Sequence, residues 1–293
     1  MTVVQMADSG DRSDTVPDSE AEPTRLTFKQ VTKQFPQRGN RRQRKQMITA
    51  VRDLSLICHD QEVVTIIGPS GCGKSTLLNM ASGLDRPTKG RITVDDEPVD
   101  GPNSHVAFML QKDLLLPWRT IRENVEFGQE IQGVSRAERR ARAHELLAQY
   151  RLDEFADYYP HQISGGMRQR AALARTLAND PDVLLMDEPF SALDAQTKMI
   201  LQRDLAQTLI ARQKTALFIT HDLEEAVALS DRVLVMSNRP GTIIEEIIID
   251  LPDRDEPFAR RQHPRMAGFT RRLMELLHLG DAPGQETAKQ RPH

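Results

Sequence analysis

The run Val63-Val64-Thr65-Ile66-Ile67, followed by Gly68-Pro69-Ser70-Gly71-Cys72-Gly73-Lys74-Ser75-Thr76, constrains this chain more than any other segment. A β-branched run that stops at a glycine reads as a strand buried on both faces of a parallel sheet. The nine residues after it match G-x-x-x-x-G-K-[ST], and Lys74 to Ser82 then has helical spacing, with Leu77, Leu78 and Ala81 on one side. Glycines permit a tight, partly left-handed backbone that aims successive N–H groups inward, and the helix N-terminus adds the positive end of its dipole. Such a loop holds phosphates. Gly68 to Gly73 would form its wall, Lys74 would reach the β- and γ-phosphates of a nucleotide, Ser75 would hold Mg²⁺ and Thr76 would face the α-phosphate. Cys72, inside the loop, is read as a small tolerated residue in preference to a redox thiol.

The rest of the chain alternates in the same manner. Val106 to Leu110, Val183 to Asp187, Ala216 to Thr220 and Val233 to Met236 read as further buried strands, and Arg136 to Tyr150, Gly166 to Ala178, Ala195 to Arg212 and Leu223 to Leu229 as helices. Alternation of this kind predicts an α/β fold on a parallel sheet. Residues 112–179 interrupt it with helix only, which predicts an inserted helical subdomain. Ahead of the phosphate loop, Leu26 to Val31 and Val51 to Cys58 alternate like half-buried strands. The expected organisation is an acidic disordered tail over residues 1–24, a nucleotide-binding domain over 25–250, and a C-terminal helix and tail over 251–293.

Val183-Leu184-Leu185-Met186-Asp187-Glu188 is an apolar strand ending in two acids. Downstream of a phosphate loop, the first acid supports Mg²⁺ through its water shell. The second, Glu188, would sit near the γ-phosphate, where it can serve as general base toward the attacking water. Composition removes several other classes. A net charge of −3 gives no basic field for nucleic acid, and 4% aromatics with a single Trp118 provides no stacking platform. The basic run 37–46 reads as a solvated loop. No apolar stretch approaches the ~20 residues of a membrane-spanning helix, the N-terminus lacks an apolar leader, and Cys58 and Cys72 make no disulfide framework.

Ile163-Ser164-Gly165-Gly166-Met167-Arg168-Gln169-Arg170, shortly before the acidic strand, resembles the signature of ABC-transporter ATPases, in which Leu and Gln are commoner at positions 163 and 167. Kinases and GTPases with the same P-loop lack it. The resemblance covers about residues 26–250. It implies a P-loop NTPase core with an inserted helical subdomain and a small N-terminal antiparallel β subdomain. It further implies that Gln111 touches Mg²⁺ and the attacking water, that Asp194 lies in the D-loop, and that His221 is a switch histidine at the γ-phosphate. Two copies would pair head-to-tail, with Ser164, Gly165, Gly166 and Met167 of one closing ATP against the loop of the other. Phe35 matches the aromatic that stacks on adenine, although the basic loop lengthens the spacing; core packing is its other reading.

The segment Gln111 to Val125, with Leu116-Pro117-Trp118-Arg119-Thr120, is similar to importer ATPases for nitrate, sulfonate, taurine, bicarbonate and some pyrimidine-type precursors. That implies a peripheral protein at the cytoplasmic face of the cell membrane, working with integral membrane permease subunits and an extracytoplasmic solute-binding protein. Trp118 has two readings, a contact for a permease helix and a structural loop anchor. The 43 residues after Asp250 are too few for the regulatory β-barrel of sugar and molybdate importers. Phe258 to Leu279 is instead expected to be one amphipathic helix, its stripe of Met266, Phe269, Leu273, Leu276 and Leu277 packed on the domain. The competing functional reading is a soluble ABC ATPase acting as a mechanical or regulatory module.

Overall fold

The computed structural model describes residues 23–37 and 47–277. The acidic segment up to residue 22 and basic residues 38–46 lie outside the described residues. Thr24, read as the end of the tail, is instead the first residue of strand β1 (Thr24–Pro36). This strand pairs antiparallel with β2 (Met47–His59) on one edge and β4 (Lys89–Val94) on the other, and β5 (Glu97–Pro98) completes a four-stranded sheet in the order β2-β1-β4-β5. Phe28 lies opposite both Leu56 and Ile92 and is buried with them.

The second sheet contains β3 (Val63–Ile67), β6 (Val106–Met109), β7 (Val183–Asp187), β8 (Thr215–Ile219), β9 (Arg232–Met236) and β10 (Ile243–Ile248). Its order is β10-β9-β3-β8-β7-β6, parallel throughout except for β10, which runs antiparallel to β9. Every residue of β3, β7 and β8 is buried, which explains their mostly apolar sequences. Successive side chains feed opposite cores. Leu184, Met186, Ala216 and Phe218 face one, whereas Val183, Leu185, Leu217 and Ile219 face the other with Phe28, Leu77, Leu78 and Met80. A one-residue slip would exchange the two sets, so the register is strongly determined.

Helix α1 (Lys74–Ala81) follows β3, and between β6 and β7 the regular elements are helical: α2 (Ile121–Ile131), α3 (Arg136–Gln149) and α4 (Gly165–Ala178), with short 3₁₀ turns. Helix α5 (Ala195–Ala211) joins β7 to β8, and α6 (Leu223–Leu229) joins β8 to β9. The expected single C-terminal helix is two: α7 (Pro257–Gln262) and α8 (Met266–Leu276). Pro264 is the reason, because it drives the preceding residue, His263, into extended backbone at φ −65° and ψ 134°. The apolar stripe does pack inward. Met266 and Leu273 are buried against Val227, Val233 and Val235, with Phe269, Leu276 and Leu277 beside them.

Candidate functional site

In a parallel α/β sheet, the loops beyond the C-terminal strand ends converge on one crevice. Here β3 leads into the glycine-rich loop, β6 toward Gln111, β7 into Asp187 and Glu188, and β8 to His221. Ser70, Gly71, Gly73, Lys74, Ser75 and Thr76 line a cleft of ≈ 330 Å³ together with Gln111, Asp187, Glu188, Ile219 and Arg239. The first residue after the glycines, Lys74, starts α1. Gly73 precedes it at φ 115°, and a Cβ there would lie 2.8 Å from Val51 Cγ2, so only glycine fits. The Lys74 ammonium donates to the carbonyls of Gly68 (2.7 Å) and Pro69 (3.0 Å), which holds it over the loop. Cys72 is buried in the core beneath, so the loop presents the backbone of this residue and not its thiol.

Asp187 is buried beside Ser75 and Lys74. Burial pushes its carboxyl above the ordinary carboxylate range; the Ser75 hydroxyl hydrogen bond and the Lys74 charge pull it back, and Glu188 adds to the rise. A carboxyl whose folded value exceeds its unfolded one binds more protons when folded. Its stabilising contribution is therefore complete below the unfolded value and lost as pH rises through the folded value. Asp187→Asn is expected to raise the melting temperature at pH 7, with the difference shrinking as pH falls toward the ordinary carboxylate range. A series of melting curves across pH checks the sign.

Glu188 follows β7 at φ 49°, a left-handed conformation rare for a long side chain and characteristic of places where backbone strain is retained for function. Its N–H donates to the Ile219 carbonyl (2.9 Å), locking the end of β7 to β8. One carboxylate oxygen receives the Gln111 amide at 3.0 Å and lies 3.3 Å from His221 Nδ1. Three strand ends thus meet at one oxygen. The Gln111 loop is itself held by α4: Arg168 donates to Asp113 (3.0 Å), and Arg175 to the Asp113 and Leu114 carbonyls. Gln169, on the same helix, donates to the Pro189 carbonyl (2.9 Å), so α4 is tied to both acidic and glutamine loops.

Other sequence-selected residues lie outside this cleft. Ser164 caps α4 by accepting the Met167 N–H, and Ser164 and Gly165 are exposed with Gly166 and Met167 half-covered. Asp194 is an exposed cap of α5, bonded to the Thr197 N–H at 3.0 Å. Phe35, next to last in β1, is 38% exposed with the Lys33 ammonium 5.0 Å from its ring centre, which weighs against core packing. Trp118 is 71% exposed, which weighs against its reading as a loop anchor. Arg239 was not singled out in the sequence. It donates to the Gly71 carbonyl at 3.1 Å across 168 positions, and the adjacent Gly241 approaches so closely that a Cβ would lie 2.1 Å from the Cys72 carbonyl oxygen. Only the Pro240-Gly241 turn signal marks that stretch locally.

The fold and cleft define a P-loop nucleoside triphosphatase with a helical insertion. A family profile described as ABC transporter matches residues 51–191. An uncharacterized ABC transporter ATP-binding protein of Methanocaldococcus jannaschii is 44% identical over 241 residues, covering 82% of this chain and 88% of that protein. A nitrate import ATP-binding protein of Synechocystis is 43% identical over 82% of this chain and 90% of its own, and a taurine import ATP-binding protein of Rhizobium johnstonii 42% over 79% and 90%. An ATP-binding cassette dimer in a post-hydrolysis state with ADP and phosphate superposes at TM-score 0.69 and 33% identity, over 77% of this chain and 99% of that one. The chain belongs to the ATP-binding proteins of ABC transporters, and it is an ATP hydrolase.

Proposed function

We propose that this chain is the energy-supplying subunit of an importer for a small anion or similar solute such as nitrate, a sulfonate, taurine or bicarbonate. It would act as a homodimer on the cytoplasmic face of the membrane, docked to integral permease subunits that receive solute from an extracytoplasmic binding protein. The meeting of Gln111, Glu188 and His221 at one oxygen beside the Lys74 loop carries the catalytic part of this reading. The import part draws on the nitrate and taurine relatives, and on the exposed side chains of Leu114 and Trp118 beside the glutamine loop. Among the described residues no helix is long and apolar enough to cross a membrane, so a separate permease would supply the path.

The chain's own groups divide the chemistry. Loop N–H groups and Lys74 hold the ATP phosphates, and Phe35 stacks on adenine. The Ser75 hydroxyl, the Gln111 amide and the Asp187 carboxylate are hard oxygen donors suited to Mg²⁺. That ion, when bound, neutralises charge on the β- and γ-phosphates. Glu188 accepts the proton of the water attacking the γ-phosphorus, while Gln111 and His221 fix the direction of its carboxylate. Because Ser164 to Met167 lie outside the cleft of their own chain, they are free to close the cleft of a second copy, and Asp194 borders the same face. Closure on ATP would change the permease's access, and hydrolysis would release it.

Co-expression with its permease tests the import reading. The chain is expected in the membrane fraction, with Trp118→Ala moving it to the soluble fraction without changing ATPase activity of the free chain. Full retention in the soluble fraction alongside an inserted permease would favour the soluble-module alternative.

A further inference from the structure

Helix α6 spans seven residues, too few to be stable alone, so its ends must be held by other elements. Its cap, Asp222, directly follows His221 and accepts the Glu225 N–H at 3.1 Å. From α5, Lys198 bridges Asp222 and Glu225 at 2.7 Å each, so the end of α6 next to the histidine is fixed to the helix that begins at Asp194. At the other end Arg260 of α7, almost completely buried, donates to the Ala228 (3.5 Å), Ser230 (2.8 Å), Leu251 (2.8 Å) and Pro252 (2.9 Å) carbonyls. Such bonds satisfy carbonyls that a helix terminus leaves without partners.

The neighbouring Arg261 reaches the opposite end through a buried amide. Its Nη2 donates to Gln202 Oε1 at 2.5 Å, and Gln202 Nε2 donates to Glu225 Oε2 at 2.8 Å. Gln202 is wholly buried, and its amide can turn over unless both ends are specified. Arg261 specifies the oxygen end, which leaves the N–H end to face Glu225, and Glu225 in turn receives Lys198. The relay therefore runs Arg261, Gln202, Glu225, Lys198, Asp222, and stops one residue from His221.

Building on the placement of His221 at Glu188 argued above, we propose that Arg260 and Arg261 are positioning residues for His221. The C-terminal helical pair thereby sets the turnover rate of the ATP site without touching nucleotide. The pair is a brace on both ends of the switch helix, and a change in its packing is read out at the histidine.

Arg261→Ala in the full chain tests this. The expected result is a fall in kcat of about tenfold with the nucleotide Kd unchanged within about twofold. In the ¹⁵N-histidine-labelled protein, the imidazole signal that disappears in His221→Ala should shift in Arg261→Ala, while that of His105 stays in place. Arg261→Lys, which can still donate to Gln202, should restore both rate and shift. An unshifted His221 signal in a folded Arg261→Ala protein, or an unchanged kcat, overturns the proposal. Normal turnover by His221→Ala would instead remove the placement of His221 on which it rests, and the NMR comparison distinguishes the two failures.

Discussion

Glu188→Gln is expected to bind ATP as tightly as the parent chain and to turn it over about 10²- to 10⁴-fold more slowly. The two side chains are nearly the same size, so the packing around the left-handed residue at the end of β7 and its bond to the Ile219 carbonyl are kept. What changes is one capability. A carboxylate can accept the proton that leaves the attacking water; an amide cannot at neutral pH. The amide also replaces one carboxylate oxygen with a donor NH2 group, so only its single oxygen can still accept from Gln111. The phosphate loop keeps its own bonds through either change, since Lys74 donates to the Gly68 and Pro69 carbonyls. Single-turnover hydrolysis together with a nucleotide titration separates the two quantities. A variant that hydrolyses at the parent rate would take Glu188 out of the base role and leave the proton acceptor to another group.

Lys74→Ala acts on the phosphate loop and should produce the opposite pattern, a loss of binding. Hydrogen bonds to a charged group contribute about 1.5–3 kcal/mol each, and the ammonium is placed to give more than one to the β- and γ-phosphates. The expected weakening of ATP affinity is therefore roughly 100-fold or more. The loop loses the two Lys74 bonds to the Gly68 and Pro69 carbonyls, and its shape is still held by Gly73, the Arg239 bond to Gly71 and the packing of Cys72. Calorimetric titration at fixed ionic strength measures the loss. Unaltered ATP affinity in a folded Lys74→Ala protein would mean that the phosphates lie elsewhere.

Much of this site was legible because its signals are local. The strand Val63–Ile67, the glycines and the lysine lie within a dozen residues, and the physical demands of a phosphate loop explain each of them. Asp187 was legible for a related reason: buried strands have distinct apolar sequences, and the crevice lies at their ends. His221 was legible only through the family resemblance, because a lone histidine at a strand end carries little signal of its own. Edge elements were harder. In Lys89–Val94 only Ile92 and Val94 turn fully inward, and in Ile243–Ile248 half-buried and exposed residues alternate around two glutamates. Neither carries the dense apolar signature of β3. The start of α2 carries a local signal, since Thr120 and Glu123 form a capping box with the spacing expected at a helix N-terminus. Pro264 likewise announced the break between α7 and α8.

Other features could not be read along the chain at all. Arg239 reaches Gly71 and Arg261 reaches Gln202 only because the sheet order brings distant segments together. The signature at Ser164 was legible along the chain through the family resemblance, whereas the surface it would meet lies on a second molecule in the proposed dimer.

That dimer is the most direct point of contact between the account and experiment. Glu188→Gln, mixed with MgATP and passed through size-exclusion chromatography with light scattering, is expected to run at twice the 33.1 kDa chain mass with two ATP per particle. Ser164→Arg in the same background should hold it at the single-chain mass. An ATP-loaded particle of one chain, or a dimer unaffected by Ser164→Arg, would contradict a cleft completed by the signature of a second copy.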